Sequence, residues 1–216
     1  MSHDVQFDLS DSICPKLVDA RYGTMLARKA GGSMDNGHRK ESSVPINVRW
    51  PRLLGSILVP VSAGIVGSLA TYDELKRWYP TLEKPSFNPP NGVFGPVWTT
   101  LYLLMGIAEY LVSQKSDSDP RYVEAVQRAR RLYALQLGLN TGWSFLFFKL
   151  RSTLAALIEL VLLWLVIVAT IRAFAGVSRT AALLLVPYLL WTSFAGVLNA
   201  SIWWKNRDNT LARAVS

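Results

Sequence analysis

The chain has 216 residues, of which 50% are hydrophobic and 18% are charged, and its formal net charge is +8. A basic excess is compatible with nucleic-acid binding, but here Lys and Arg flank long apolar runs, as they do at the lipid headgroups beside membrane helices. We therefore predict a membrane protein with no nucleic-acid partner. The single Cys14 and both histidines, His3 and His38, precede the apolar runs. Because zinc and haem iron need such ligands, we predict no metal site in the apolar part.

Residues 1–50 are polar, mixed in charge and without a sustained apolar run, which predicts a disordered N-terminal extension. A transit peptide is disfavoured because such peptides avoid acidic residues, and this segment carries several. It also lacks the apolar core of a secretory signal. We predict a membrane domain over residues 51–206 and a polar C-terminal tail over residues 207–216.

Five apolar runs follow, each near the ~20 residues that span the hydrocarbon layer of a bilayer. They cover about residues 53–72, 95–112, 131–148, 154–174 and 181–204. The last four are joined by short connections, so consecutive helices should be adjacent and antiparallel. The predicted fold class is all-α, a polytopic bundle of five transmembrane helices.

The connection between the first two spans, residues 73–94, is rich in proline. Proline fixes its own φ angle and biases the preceding residue toward extended geometry. We therefore predict a connection of defined shape. Its prolines are Pro80, Pro85, Pro89 and Pro90.

Aromatic and polar side chains recur on single faces of three predicted helices, spaced three or four residues apart. Such faces can line a pocket that has aromatic walls and a few polar points, as small-molecule sites usually do. A carboxylate in the fourth span, Glu159, is costly in a membrane and usually faces the interior. The residues on the three faces are Trp98, Tyr102 and Met105, then Asn140 and Trp143, then Tyr188, Trp191, Ala195 and Leu198.

These residues also have plainer interpretations. Tryptophans near span ends commonly anchor a helix at the membrane interface, which we expect of Trp78, Trp203 and Trp204. Asn140 fits a hydrogen bond between helices that contributes roughly 1 kcal/mol or less. Glu159 fits an ion pair with Arg151 or a protonated carboxyl. For the tryptophans inside the spans, plain packing and ligand contact both stay open.

A ridge of small residues lies on the third span, where Ala134, Gly138 and Gly142 repeat every four residues. Such a ridge lets another helix approach closely. It predicts either a dimer seam or close packing within the monomer.

The sequence has no motif for hydrolysis or group transfer: it lacks a nucleophile elbow, a phosphate-binding glycine loop and paired acids within one span. It also lacks the several buried ionisable residues of an ion or proton relay, which disfavours an ion-driven transporter.

Residues 84–90 and 95–102 closely resemble the signature of the translocator protein family, also called tryptophan-rich sensory proteins or peripheral-type benzodiazepine receptors. These segments read Lys-Pro-Ser-Phe-Asn-Pro-Pro and Gly-Pro-Val-Trp-Thr-Thr-Leu-Tyr. Further matches follow in order at Trp78-Tyr79, at Leu139-Asn140 with Trp143, and at Pro187-Tyr188-Leu189 with Trp191. The resemblance covers about residues 53–206.

The resemblance implies a five-helix bundle, often dimeric, whose ligand cavity is closed by the loop between the first two helices. It implies no required cofactor and, as ligands, porphyrins such as protoporphyrin IX and haem, sterols or other lipids, and synthetic isoquinoline carboxamides and benzodiazepines. Glu159 stands where the family usually has Asp. The pocket residues implied by motif position are Ser68, Thr71, Tyr79, Phe94, Gly95, Val97, Trp98, Asn140, Trp143, Glu159, Leu162, Trp191, Ala195 and Leu198.

Three functions stay open. The first is a porphyrin or lipid receptor acting as a sensor, scavenger or transport regulator, in the mitochondrial outer membrane or alternatively in the endoplasmic reticulum or Golgi. The second is an enzyme that degrades porphyrin with light through Trp98 and Trp191. The third is a structural or partner-recruiting membrane protein. Residues 199–205 lack the tyrosine of the animal cholesterol-recognition pattern, and Ala155 replaces a mammalian tryptophan, which weakens the expectation of cholesterol or animal-directed drugs.

Overall fold

The computed structural model describes the backbone of residues 48–215 and the side chains of residues 48–207, so the predicted N-terminal extension lies almost wholly outside the described residues. The described part has no strand, and its fold is the predicted all-α membrane bundle. A π-helical turn, Phe145–Lys149, ends the third helix. The α-helices are α1 (Trp50–Arg77), α2 (Asn91–Ser118), α3 (Val123–Ser144), α4 (Thr153–Ala175), α5 (Arg179–Leu184) and α6 (Val186–Val215).

Five helices build the bundle, because α5 and α6 follow each other as one span. By length and composition alone, three of the described helices are apolar enough to cross a membrane: α1, α4 and the combined stretch Arg179–Arg207. The other two, α2 and α3, have 28 and 22 residues. At 1.5 Å per residue each is long enough to cross, but both carry more polar and aromatic side chains.

The last span differs from the prediction of one continuous helix. It breaks at Leu185, two residues before Pro187. Proline lacks the backbone N–H for the helical hydrogen bond, and its ring clashes with the carbonyl four residues earlier. Helix α6 then continues through the predicted polar tail to Val215.

The loop between the first two helices is shorter than predicted. Helix α1 continues to Arg77 and α2 begins at Asn91, so the connection covers residues 78–90 instead of 73–94. A short 3₁₀ turn, Tyr79–Thr81, begins it.

The N-terminal half of α1 packs tightly on the C-terminal half of α2. A methyl group at Gly106 would lie 2.6 Å from the Ile57 Cα, so the two backbones are close enough to exclude a side chain. Beside this contact, the Ser56 hydroxyl donates a 2.5 Å hydrogen bond to the buried carboxylate of Glu109. Arg130 of α3 approaches the same carboxylate at 3.2 Å. This polar cluster was missed in the sequence, since nothing in the spacing of Glu109 indicates burial.

Beyond Gly64, where an added methyl group would meet the Tyr102 ring of α2, the C-terminal half of α1 packs on α3 and its π turn. Gly67 faces the Ser144 hydroxyl, and the Thr141 hydroxyl lies 3.4 Å from the Ala63 carbonyl oxygen. At the end of α1, Glu74 accepts two hydrogen bonds from the Arg151 guanidinium, at 2.9 and 3.1 Å. The suggested pairing of Arg151 with Glu159 is therefore wrong, because the Arg151 guanidinium pairs with Glu74 of α1.

The ridge of small residues on α3 faces outward. Ala134 and Gly138 are exposed and Gly142 is half-buried. No described atom lies within 4 Å of a methyl group added at Gly138 or Gly142. Close packing of these two glycines within the described chain is thereby contradicted, and the dimer seam stays a prediction.

Candidate functional site

A cavity of about 570 Å³ lies inside the bundle. Its walls come from α1, α2, α3 with its π turn, α4 and α6. Eleven of the residues implied by the family resemblance line it. They are Ser68, Thr71, Tyr79, Phe94, Gly95, Trp98, Asn140, Trp143, Trp191, Ala195 and Leu198.

Aromatic rings form most of the cavity wall and brace one another. Trp98 stacks on Tyr102 with ring centroids 5.5 Å apart, one turn along α2. Across the cavity, the edge of Phe94 meets Trp191 at 5.9 Å. Trp143 stacks on a phenylalanine of the π turn at 5.0 Å. Such ring pairs contribute about 0.5–1.5 kcal/mol each beyond burial, so the walls are held in fixed orientations.

The polar groups of the cavity are few. The Tyr102 hydroxyl donates a 2.9 Å hydrogen bond to the Asn140 side-chain oxygen, which joins α2 to α3. The indole N–H of Trp143 is buried and has no hydrogen-bond partner among the described residues. A buried donor left without an acceptor costs about 1–3 kcal/mol, so a ligand that offers an acceptor there recovers that energy.

Three of the implied pocket residues do not line the cavity. Val97 of α2 is partly buried and packs on the apolar core instead of facing the cavity. Leu162 is 50% exposed, because it lies on the outer face of α4 while Leu160 and Leu163 face inward. Glu159 is not among the lining residues either, and its two carboxyl oxygens are buried without a hydrogen-bond partner in the described part of the chain.

The loop is anchored at its base by buried aromatic side chains. Trp78 is buried and meets the edge of Phe147 at 5.5 Å, so its expected role as a membrane-interface anchor is wrong. Tyr79 is also buried, and its hydroxyl donates a 2.7 Å hydrogen bond to Asn88 farther along the loop. Burial raises the pKa of Tyr79, which keeps the hydroxyl protonated as a donor.

Asn206 of α6 anchors the middle of the loop, and no pattern in the sequence indicated this role. Its side-chain oxygen accepts a 3.0 Å hydrogen bond from the Glu83 backbone N–H, and its nitrogen donates one of 2.9 Å to the Glu83 carbonyl. A third bond of 2.8 Å links the same nitrogen to the Ile202 carbonyl of its own helix. An amide side chain thus pairs with the loop backbone as a neighbouring strand would.

We expect Asn206→Ala to loosen the loop without unfolding the bundle. The substitution leaves two backbone groups of Glu83 unpaired, at a cost of about 1–3 kcal/mol if they stay buried. Limited proteolysis of the loop should accelerate, while the thermal midpoint of the bundle falls only modestly. Ser201→Ala is the matched control, since among the described residues its hydroxyl bonds only to a carbonyl of its own helix. Equal protection of the loop in both variants would contradict the anchor.

The fold and the cavity define a class: a polytopic helical membrane protein with an aromatic-walled internal cavity. Among the described residues, no three His, Cys, Asp or Glu side chains are grouped where a metal ion could bind.

Comparison with known proteins agrees with this class. The TspO/MBR family profile matches residues 56–205. The chain is 46% identical over 146 residues to the tryptophan-rich protein TspO of Chlorobaculum tepidum, covering 66% of this chain and 87% of that protein. It is 41% identical over 160 residues to the translocator protein of Homo sapiens, covering 74% and 91%. With the tryptophan-rich sensory protein of Cereibacter sphaeroides it shares 35% over 169 residues, covering 78% and 100%.

The chain belongs to the TspO/MBR family, which confirms the resemblance found in its sequence motifs. It is an integral membrane protein, and membership of this family supports a role as a membrane sensor or binding protein.

Proposed function

We propose that this protein is a membrane receptor for porphyrins such as protoporphyrin IX and haem, and that it acts as a tetrapyrrole sensor, scavenger or transport regulator. The observation that carries the proposal is the cavity of about 570 Å³ walled by Trp98, Trp143 and Trp191. A flat macrocycle gains most from flat walls, because face and edge contacts between rings add to the burial of apolar area.

The small number of polar groups in the site favours a ligand that is held mainly by apolar contacts and by the shape of the cavity. The unpartnered indole N–H of Trp143 and the amides of Asn140 and Asn199 supply directional contacts, a few hydroxyl groups lie among them, and most of the wall is apolar or aromatic. Sites of this composition bind largely apolar molecules and use a few polar groups to orient them. Sterols and other lipids can contact the apolar wall, but they are not flat and so contact the aromatic rings less fully. We therefore rank them below porphyrins.

Titration of the purified protein with protoporphyrin IX in the dark tests the proposal. We expect saturable quenching of tryptophan fluorescence, because the indoles of the cavity would lie against the macrocycle. Trp143→Phe should weaken binding by about tenfold or less, since it removes the unpartnered N–H but keeps an aromatic ring. Non-saturable quenching, equal in a variant with a filled cavity such as Ala195→Trp, would overturn the proposal and favour a structural role.

A second candidate function is light-dependent porphyrin degradation. It is favoured by one observation: Trp98 and Trp191 both line the cavity, on α2 and α6, so both indoles would contact a bound macrocycle. Indoles can donate an electron to an excited porphyrin, whereas phenylalanine cannot do so readily.

We further propose a partner and a membrane location. A homodimer is supported by the outward-facing ridge of Ala134, Gly138 and Gly142, because small residues allow close approach of a second helix. A mitochondrial outer-membrane location is supported by the similarity to animal translocator proteins. Fractionation of cells that express the full chain would test the location.

A further inference from the structure

The cavity has a side opening between the C-terminal half of α1 and the N-terminal half of α2. Several lining residues are themselves exposed, including Ile65 and Leu69 of α1 and Gly95 and Thr99 of α2. Leu69 is 75% exposed although it borders the cavity. On a membrane-spanning helix an exposed side chain of this kind faces lipid, so the opening faces the bilayer.

The opening follows from the way α1 is fastened. Gly106 holds the N-terminal half of α1 against α2, and Glu109 and Asp117 form polar contacts with the same half. The C-terminal half is fastened to α3 and to Arg151 instead. The loop end above, in contrast, is held by Asn206 and by buried aromatic rings. The loop end is therefore fastened on several sides, whereas the side between α1 and α2 is not.

The lining is uncharged. None of the cavity-lining residues in the described part of the chain is Asp, Glu, Lys, Arg or His. An ionised group buried among them would have no counter-charge, and an unpaired buried charge is strongly unfavourable. The part of a ligand that fills the cavity is consequently neutral, and any carboxylates it carries must stay outside the cavity.

We propose that the ligand is a flat molecule with a neutral body that dissolves in the bilayer and enters sideways through this opening, here called the α1–α2 slot. The slot is bordered by Ile65, Ser68, Leu69, Gly95 and Thr99. The inference rests on the proposed receptor function and goes beyond it, because it assigns the route and the charge state of the bound part. Opening of the loop is not required for binding.

Glycines on one face of α2 allow a sharp test. A methyl group added at Gly95 or at Gly92 meets no described atom within 4 Å, so both positions have room for a larger side chain. Gly95 borders the slot, whereas Gly92 is equally exposed but does not line the cavity. Gly95→Phe therefore obstructs the slot, and Gly92→Phe is the matched control. Ser68→Phe obstructs the slot from α1 and replaces Gly95→Phe if that variant does not fold.

The probe is protoporphyrin IX dimethyl ester, a neutral porphyrin, mixed into lipid nanodiscs that contain the full chain. We expect Gly95→Phe to slow both association and dissociation by about tenfold, with a Kd that changes much less, because a narrowed passage affects both directions. Gly92→Phe should leave both rates unchanged. Asn206→Ala, which loosens the loop, should not accelerate association.

The alternative outcomes are distinct. Faster dissociation with unchanged association in Gly95→Phe would mean that Gly95 affects only the stability of the bound state and would overturn the slot, as would faster association in Asn206→Ala. Unchanged rates in both slot variants would also overturn it. Tight binding of protoporphyrin IX without binding of its ester would overturn the neutral ligand body but leave the receptor function intact. Binding of neither would remove the receptor function itself.

Discussion

Trp98→Phe and Trp191→Phe should each abolish most light-driven porphyrin loss while leaving porphyrin binding largely intact, if the protein degrades porphyrin. Phenylalanine keeps most of the apolar area, so we expect binding to weaken by less than about tenfold, or ~1.4 kcal/mol. It removes the readily oxidised indole, so the photochemical rate should fall much further. The measurement is the porphyrin Soret absorbance under steady illumination at saturating protein, with dark binding measured in parallel.

Trp204→Phe is the control on the same helix as Trp191. Trp204 is 60% exposed, lies outside the cavity and is covered by the Arg207 guanidinium at 3.6 Å. Its replacement should change neither binding nor photochemistry. If both cavity variants kept the full rate of light-driven porphyrin loss, Trp98 and Trp191 would only line the cavity. The enzymatic candidate would then lose its mechanism. Porphyrin that stays intact under light in the unmodified protein would leave the receptor as the surviving function.

Gly106→Ala should lower the thermal midpoint, although alanine is normally the better helix former. Its methyl group would lie 2.6 Å from the Ile57 Cα, so α1 must move away from α2. Overpacking of a close contact costs about 1–3 kcal/mol, which exceeds the ~1 kcal/mol that alanine contributes over glycine in a helix. Gly106→Leu should be worse still. Thermal melting of detergent-solubilised protein, followed by tryptophan fluorescence, measures the effect.

Gly138→Ala on α3 is the matched control, because a methyl group there meets no described atom within 4 Å. Its midpoint should stay constant or rise. The opposite signs at two helical glycines separate close packing from helix propensity, and a lowered midpoint at both would contradict the α1–α2 contact.

The same residue tests the dimer: Gly138→Leu should reduce chemical cross-linking of the protein in membranes if the ridge is the seam. Undiminished cross-linking would place the seam elsewhere.

Long apolar runs and local motifs made much of this fold predictable. A backbone in lipid must satisfy its own hydrogen bonds, so an apolar run of membrane length leaves little choice besides a helix. The positions of Trp98, Asn140 and Trp191 were found because three- and four-residue spacing places residues on one helical face. The helix break near Pro187 was missed, since a proline within a membrane helix can be tolerated or can end it, and the outcome depends on neighbouring helices.

The sequence by itself determined the class of the protein: a helical membrane bundle, with aromatic faces directed at one another and a proline-rich loop beside them. The tertiary structure decided how those faces meet. It turned Leu162 outward, fastened the loop through Asn206 and brought residues of five helices together around one cavity. Periodicity specifies the face of a single helix, but not the rotation and tilt of that helix against its neighbours. Those depend on contacts between residues far apart in sequence, such as Gly106 with Ile57 and Glu74 with Arg151.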